Sequence, residues 1–561
     1  MRSRREFLTS LFSAGAVGLI VACGGGGGSQ ASSSAANATS APAKPAAAPT
    51  QAAAGQPAAT QAAPAQAAAK PAGAGGTLTF VIDTDPIDFD PMISRAFVDR
   101  NAQYQMYDSL VRIDQTGKII PWLAEKWDLS SDGKKMTFSL RKGVKYQDGT
   151  PFDAESVKWN IDRYRTTEAS ARKGELAPVA SVDVVDPSTV AFNLSTPFSP
   201  MLSLLVDRAG MMVSRAVVEA AGQDFTRKPF KAGTGPFIMT EAVKDDHITF
   251  EKNPDWWGTD ASGGKLPLLD KVIYHTVLDS NVRLTNMKTG DAQYANNIAG
   301  KDVAGVKADS MFSYMEVPAY SYNSLTTNRA PGFVFNEARY VKAVSMAMDR
   351  QELLDKGFFG LGVVGYGAVA PGHFSYDPNF KPYEKPDPDG AKALVDQVGK
   401  GALSFELLVP SGDPVTLQYA QLIQAQLRKA SIDAQLVSLE FAQILKQQTD
   451  HVFKGMSFIG WSGRIDPDGN SYDFNYTGRP NNDGQYSNPD VDKLLDQQRQ
   501  SSDMSERTTA LRKAEQIYVV DDPARVWFRF GVAQQLTSTK VQGLTPYPDQ
   551  IPRFQFASVA K

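Results

Sequence analysis

Polar and apolar residues alternate in Thr77-Leu-Thr-Phe-Val-Ile82, and the run breaks at Asp85-Pro86. That pattern predicts a strand ending in a loop. Tyr104-Gln-Met-Tyr-Asp-Ser-Leu-Val111 reads as running into a hairpin-like stretch that turns at Asp114-Gln-Thr-Gly117. Further strands are predicted over 136–140, 182–185, 190–194, 237–240, 248–252 and 272–277, and the apolar run 456–461 reads as another. Helical spacing predicts helices over 154–164, 281–289, 336–348, 389–397, 415–429, 441–449, 489–501 and 504–521. The first of these is expected to be capped by Asp153, with Glu155 in its first turn. Strands interleaved with helices indicate an α/β architecture, and no period of 20–50 residues repeats.

The pattern changes before residue 77. Ser3-Arg4-Arg5-Glu6-Phe7-Leu8 precedes an apolar stretch over 11–21 that is interrupted by small residues and short for a bilayer span. A basic start and a short apolar run make an export signal, and the arginine pair resembles the twin-arginine signal. Ile20-Val21-Ala22-Cys23 resembles a bacterial lipobox, which implies that Cys23 is lipidated and becomes the new N-terminus. Acyl chains contribute roughly 0.8 kcal/mol per buried methylene, so a multiply acylated cysteine holds the protein at a membrane surface. Residues 24–76 are almost entirely Gly, Ala, Pro, Ser, Thr and Gln, with no aromatic side chain. Such a segment cannot build a core and is expected to be a disordered linker, with a reach of roughly 40 Å.

Composition narrows the function classes. At 561 residues and 42% hydrophobic, the chain is too long for one core, so two or more lobes are expected. The net charge of −3 and the lack of a long basic run argue against nucleic acid as a partner. Cys23 is the only cysteine, so no intrachain disulfide can form. Four histidines lie too far apart in sequence to suggest a zinc site, and no cofactor is expected. Three motif fragments are declined. Gly360-Leu-Gly-Val-Val-Gly365 lacks the preceding strand and following helix of a dinucleotide site. In Gly460-Trp-Ser-Gly-Arg464 an Arg stands where a nucleophile elbow has Gly. Asp466-Pro-Asp-Gly-Asn470 lacks the Gly and the bidentate Glu of a calcium loop.

Several separated motifs carry a family resemblance. They are Trp122-Leu-Ala-Glu-Lys-Trp127, Ser131-Asp-Gly-Lys134, Thr137 to Val144, Asp148 to Val157, Gly233-Thr-Gly-Pro-Phe237 and Asn253-Pro-Asp-Trp-Trp-Gly258. Arg283 to Asp291, Val341 to Arg350, Pro489 to Leu495 and Asp521-Asp-Pro523 follow in order. Together they span essentially all of 77–561 and resemble solute-binding family 5 of the ABC importers, the peptide/nickel/oligosaccharide class, whose members take peptides, oligosaccharides, metal chelates and opine-like compounds. The resemblance implies a type II (cluster C) periplasmic-binding-protein fold: two α/β lobes joined by two crossing strands, plus an extra domain. Lobe I is expected at 77–112, 229–328 and 531–561, the extra domain at 113–228, and lobe II at 329–530. It further implies a monomer that captures a small organic ligand outside the cytoplasm and hands it to permease and ATPase subunits. Read locally, most of these motifs do structural work; Trp256-Trp257, for instance, suits core or interlobe packing.

The candidate ligand site follows the strand 456–461. Ligands of open α/β sheets gather beyond the carboxyl ends of strands, and Trp461 beside charged residues suits an organic ligand. In peptide-binding members an acid three positions after this Trp holds the ligand's amino group; here that position is Arg464, with Asp466 and Asp468 later. Arg464 either anchors a carboxylate or phosphate, or pairs with Asp466 or Asp468 to hold the loop. Further candidates are Asp83 and Phe89, together with Tyr320, Tyr322 and Asn323 near the predicted crossing; the tyrosines either face the cleft or fill an interlobe core. No catalytic set assembles, so a binding protein is expected rather than an enzyme. An exported hydrolase or a ligand sensor of the same fold are the alternatives.

Overall fold

The computed structural model describes residues 75–560. The export signal, Cys23 and nearly all of the predicted linker lie outside the described residues.

Thr77–Ile82 is a strand, as its alternation predicts, buried on both faces. Leu78, Phe80 and Ile82 enter one core and Val81 another. It pairs in parallel with Lys271–Thr276 and Tyr294–Ala295, which is how a strand with two apolar faces is used. His247–Lys252 and Phe237–Val243 extend this half of the sheet antiparallel. A second half is built from Asp433–Leu439, Ser404–Pro410 and Met456–Trp461. Two long strands, Phe312–Thr327 and Arg525–Ser538, run antiparallel through both halves and join them into one sheet. Their register is regular up to Pro318, paired with Val532, and resumes at Tyr322, paired with Phe530. This irregularity sits where the chain passes from one lobe to the other, the position a hinge needs.

Each half has its own core. Phe80, Phe237, Phe250, Val272, Tyr274 and Phe554 pack in the first. Leu325, Val341, Leu407, Ile423, Met456 and Phe528 pack in the second, where the helices Ala338–Ala347 and Pro414–Lys429 cover the sheet. A separate four-stranded antiparallel sheet runs in the order Ala124–Leu129, Lys135–Leu140, Thr189–Leu194, Val179–Asp186. The helix Ala154–Thr166 covers it through Val157, Ile161 and Tyr164. Asp153 caps that helix as expected, its carboxylate accepting from Ser156 N–H at 2.9 Å.

Asp108 ties this extra sheet to the first lobe. Its fully buried carboxylate accepts from the indole N–H groups of Trp122 (2.7 Å), Trp256 (3.1 Å) and Trp257 (2.9 Å). Arg112 Nη2 (3.1 Å) and Thr234 Oγ1 (3.2 Å) complete the set. Two expectations are corrected here. Tyr104 to Met106 end a helix, Phe97–Met106, although the hairpin beyond it forms as expected, Val111–Ile113 pairing with Ile119–Pro121 around Asp114–Gly117; and the loop after Trp461 contains the helix Asp468–Asn475.

Candidate functional site

Met456–Trp461 forms the expected strand, and its carboxyl end lies beside the crossing strand, with Trp461 opposite Tyr322 and Gly460 opposite Asn323. Past Trp461 the chain turns back at Gly463, whose φ of +74° brings its Cα against the Tyr320 carbonyl; a Cβ there would lie 2.2 Å from that oxygen. Asn470 clamps the loop. Its Oδ1 accepts from Trp461 Nε1 (3.1 Å) and Arg464 N–H (2.9 Å), while Nδ2 donates to the carbonyls of Tyr320 and Ala368, both at 3.0 Å.

Arg464 makes neither expected pairing with Asp466 nor with Asp468. Its Nε lies 2.8 Å from Asp207 Oδ2, its Nη1 donates to the Gly463 carbonyl, and its guanidinium sits 4.4 Å from the Trp461 ring. Asp207 also meets Arg100 Nε at 3.1 Å and the backbone N–H of Arg208. Arg100 in turn donates to Ser462 Oγ at 2.9 Å. Burial alone would raise the Asp207 carboxyl, but Arg100, Arg464 and Arg208 outweigh it and hold the group well below the usual carboxylate range. Burial lowers the Arg464 guanidinium to about 10, with Asp207 opposing the shift and Arg100 adding to it.

The two acids of the loop are engaged within the second lobe. Asp466 accepts from both amino groups of Arg507 (3.0 and 2.7 Å), and Asp468 is bidentate with Arg499 at 2.8 Å to each nitrogen. Such forks are strong and geometrically fixed, so both acids serve the loop's shape. Phe89 is buried in the first-lobe core and Tyr320 stacks on His373 at 4.9 Å; neither borders the crevice described next. His373 accepts the Ala370 N–H at Nδ1, which places its proton on Nε2, donated to the Arg464 carbonyl at 2.7 Å. Burial lowers this imidazole to about 4, so it is neutral.

Between the two sheet halves lies a crevice of about 350 Å³. It brings together Asp83, Tyr322, Asn323 and Trp461 of the expected set. Its walls also carry Arg283, Asn297, Asp413, Tyr419 and Arg529, which sequence reasoning missed. Asp83 accepts from Asn297 Nδ2 at 2.7 Å. Asp413 caps the helix Pro414–Lys429 and also accepts Ser280 Oγ at 2.9 Å from the facing lobe. The Asp-Pro start of that helix was a legible cap signal. Arg283 donates to the carbonyls of Val277, Leu278 and Asn297. A second cavity of about 40 Å³ lies on the far side of Trp461 and Arg464, bounded by Glu175, Asp207 and Asp473. Arg464 and Asp207 line the small chamber, and Trp461 borders both chambers. Among the described residues no group of His, Cys, Asp or Glu is arranged to hold a metal ion.

This geometry has known counterparts. Residues 118–483 match the family described as bacterial extracellular solute-binding proteins, family 5 Middle. The glutathione-binding protein GsiB of Escherichia coli (strain K12) is 28% identical over 477 residues, covering 82% of this chain and 89% of the relative. DppA of Helicobacter pylori, an ABC transporter-associated periplasmic binding protein solved with the peptide STSA, shares 25% identity at a TM-score of 0.79, over 87% of this chain and 99% of its own. The oligopeptide-binding protein AppA of Bacillus subtilis, solved with a nonapeptide, superposes at a TM-score of 0.80 with 20% identity, over 87% of this chain and 100% of its own. The fold is the type II periplasmic-binding-protein arrangement expected from the sequence. The chain belongs to family 5 of the bacterial extracellular solute-binding proteins.

Proposed function

We propose that this chain is the lipid-anchored receptor of an ABC importer: it closes over a peptide-like or other small organic solute and delivers it to the permease, without catalysis. The observation that carries the reading is the crevice of about 350 Å³ with walls from both sheet halves, within the range of small-molecule sites. The contact across it from Ser280 to Asp413, with those beside it from Arg100 to Ser462 and from Arg464 to Asp207, belongs to a closed arrangement. A solute touching both walls would favour that state over an open one. The relatives' ligands, glutathione and a short peptide, set the size class.

The same reading takes Cys23 as the lipidated residue, the arginine pair as an export signal and the protein as a monomer on the outer face of the cytoplasmic membrane. Lobe I is assigned to 77–112, 229–328 and 531–561, the extra domain to 113–228 and lobe II to 329–530; the separate cores and the irregular crossing near Pro318–Tyr322 support that division. Within the crevice, Trp461, Tyr322, Asn323 and Asp83 are the proposed ligand contacts. Calorimetry with glutathione and a panel of di- to pentapeptides tests the reading. One-to-one binding without turnover supports it; hydrolysis of a bound peptide overturns it.

A further inference from the structure

Arg529 lies on the second crossing strand and faces the large chamber. Its Nε donates to the Leu361 carbonyl at 2.7 Å and its Nη1 to Asn323 Oδ1 at 3.0 Å. The guanidinium sits 4.2 Å from the Phe358 ring. Its Nη2 has no hydrogen-bond partner among the described residues. No carboxylate among them pairs with it, in contrast to Arg464, Arg499 and Arg507, each matched to an acid. Burial lowers its proton affinity to about 10, and only the hydroxyls of Tyr419 and Tyr314 oppose that shift. Arg283, on the same chamber, also lacks an acid, but three main-chain carbonyls take up its amino groups.

A largely buried cation costs free energy until an anion joins it. Neither carboxylate of the walls pairs with Arg529. Asp83 is bonded to Asn297, and Asp413 to Ser280 and to Thr416 of its own helix. We propose that Arg529 is the anion anchor of the crevice and that the solute presents a carboxylate to it. The inference rests on the solute-binding reading above and gives it a ligand class. It moves the anchoring role from Arg464, which the Asp207 carboxylate already neutralises, to a residue of the hinge strands. Asn323 orients the guanidinium through Nη1, leaving Nη2 for the solute. A carboxylate held at the crossing strands ties ligand to the segment that must bend on closure.

The test is binding by the purified protein to matched pairs, Ala-Gly and Ser-Thr-Ser-Ala, each as free acid and as C-terminal amide, with glutathione, succinate and maltose added. At least one acid is expected to bind about 100-fold more tightly than its amide, the effect of removing one partner of a desolvated charge pair. R529Q should bring acid and amide to within about threefold by weakening only the acid, and R529K should restore part of the preference. The acid–amide ratio of the unmodified protein reads the proposal even where R529Q folds poorly. Equal affinity for acid and amide, or a preference that survives R529Q, overturns the anchor. Binding of maltose with every acid silent overturns it too, and leaves the solute-binding reading standing. Silence from the entire panel counts against both.

Discussion

Arg464, in the loop after Trp461, and Asp207, on the proposed extra domain, meet at 2.8 Å, both side chains largely buried. Asp207 is the carboxylate that Arg464 pairs with, while Asp207 also meets Arg100 at 3.1 Å. Asp207 answers three guanidinium-bearing residues, Arg100, Arg208 and Arg464, drawn from different parts of the fold. An ion pair so placed reports on whether the lobes are together, because opening would return both charges to water. Removing Asp207 leaves a buried cluster of cations, so D207N should lose about 3 kcal/mol of stability in urea unfolding. In a double-mutant cycle with R464Q the pair should be coupled by about 1 kcal/mol or more. Additive single losses would contradict a direct interaction.

Asp108 makes a second prediction. Its carboxylate accepts three indole N–H groups and the Arg112 guanidinium. D108N cannot accept at both atoms and leaves Arg112 without its acid, so a loss of about 3 kcal/mol is expected. Because Trp122, Trp256 and Trp257 all bond there, the native emission spectrum should shift to the red in the same variant. An unchanged spectrum and midpoint would deny Asp108 this organising part.

Glu515 predicts a pH dependence. Burial raises its carboxyl to about 7, although Val369 N–H donates to it at 3.1 Å. The folded chain therefore holds a proton that the unfolded chain releases at the ordinary carboxylate value. Between about pH 4.5 and 7 the native state binds more protons, so stability falls as pH rises and the penalty is complete above about 7. The full effect is on the order of 3 kcal/mol. E515Q, which can still accept the Val369 N–H, should flatten this slope. Asp99, raised by burial to about 6, contributes below that value in both proteins and cancels in the comparison. Identical slopes for E515Q and the unmodified chain would refute the assignment.

The anchor reading turns on Cys23. Expressed with its own leader, the protein should sediment with membranes, and C23S should appear in the soluble extracytoplasmic fraction. Acyl chains contribute roughly 0.8 kcal/mol per buried methylene, so the partition should be nearly complete. C23S that still sediments with membranes would contradict lipidation at that residue.

Much of the architecture was legible because burial follows period. The strand Met456–Trp461 and the helix Phe441–Thr449 stand where the apolar patterns placed them. The helix Phe97–Met106 escaped notice because its buried residues include Asp99, Arg100, Asn101, Gln103 and Gln105, so no apolar stripe marks it. Asp468–Asn475 hides for the same reason, burying Asp468, Asn470, Ser471 and Asp473. The first helix borders the crevice through Phe97 and the second the small cavity through Asp468 and Asp473, and in both polar side chains are buried for partners distant in sequence. Trp461, Tyr322, Asn323 and Asp83 were found from strand ends, yet Arg464 met Asp207, whose nearness no local spacing reveals. Arg529 was missed because Arg525-Val-Trp-Phe-Arg-Phe530 reads as one more buried strand, and only the crossing exposes its fifth residue to the chamber.

Native mass spectrometry tests the central claim most directly. The purified protein is incubated with the low-molecular-weight fraction of a peptide-rich growth medium, freed of excess by gel filtration and sprayed without denaturation. The account predicts a single added mass of a few hundred daltons per chain, released on denaturation, from a compound carrying a carboxylate. A protein that gains no mass from this mixture, at any concentration, would contradict it.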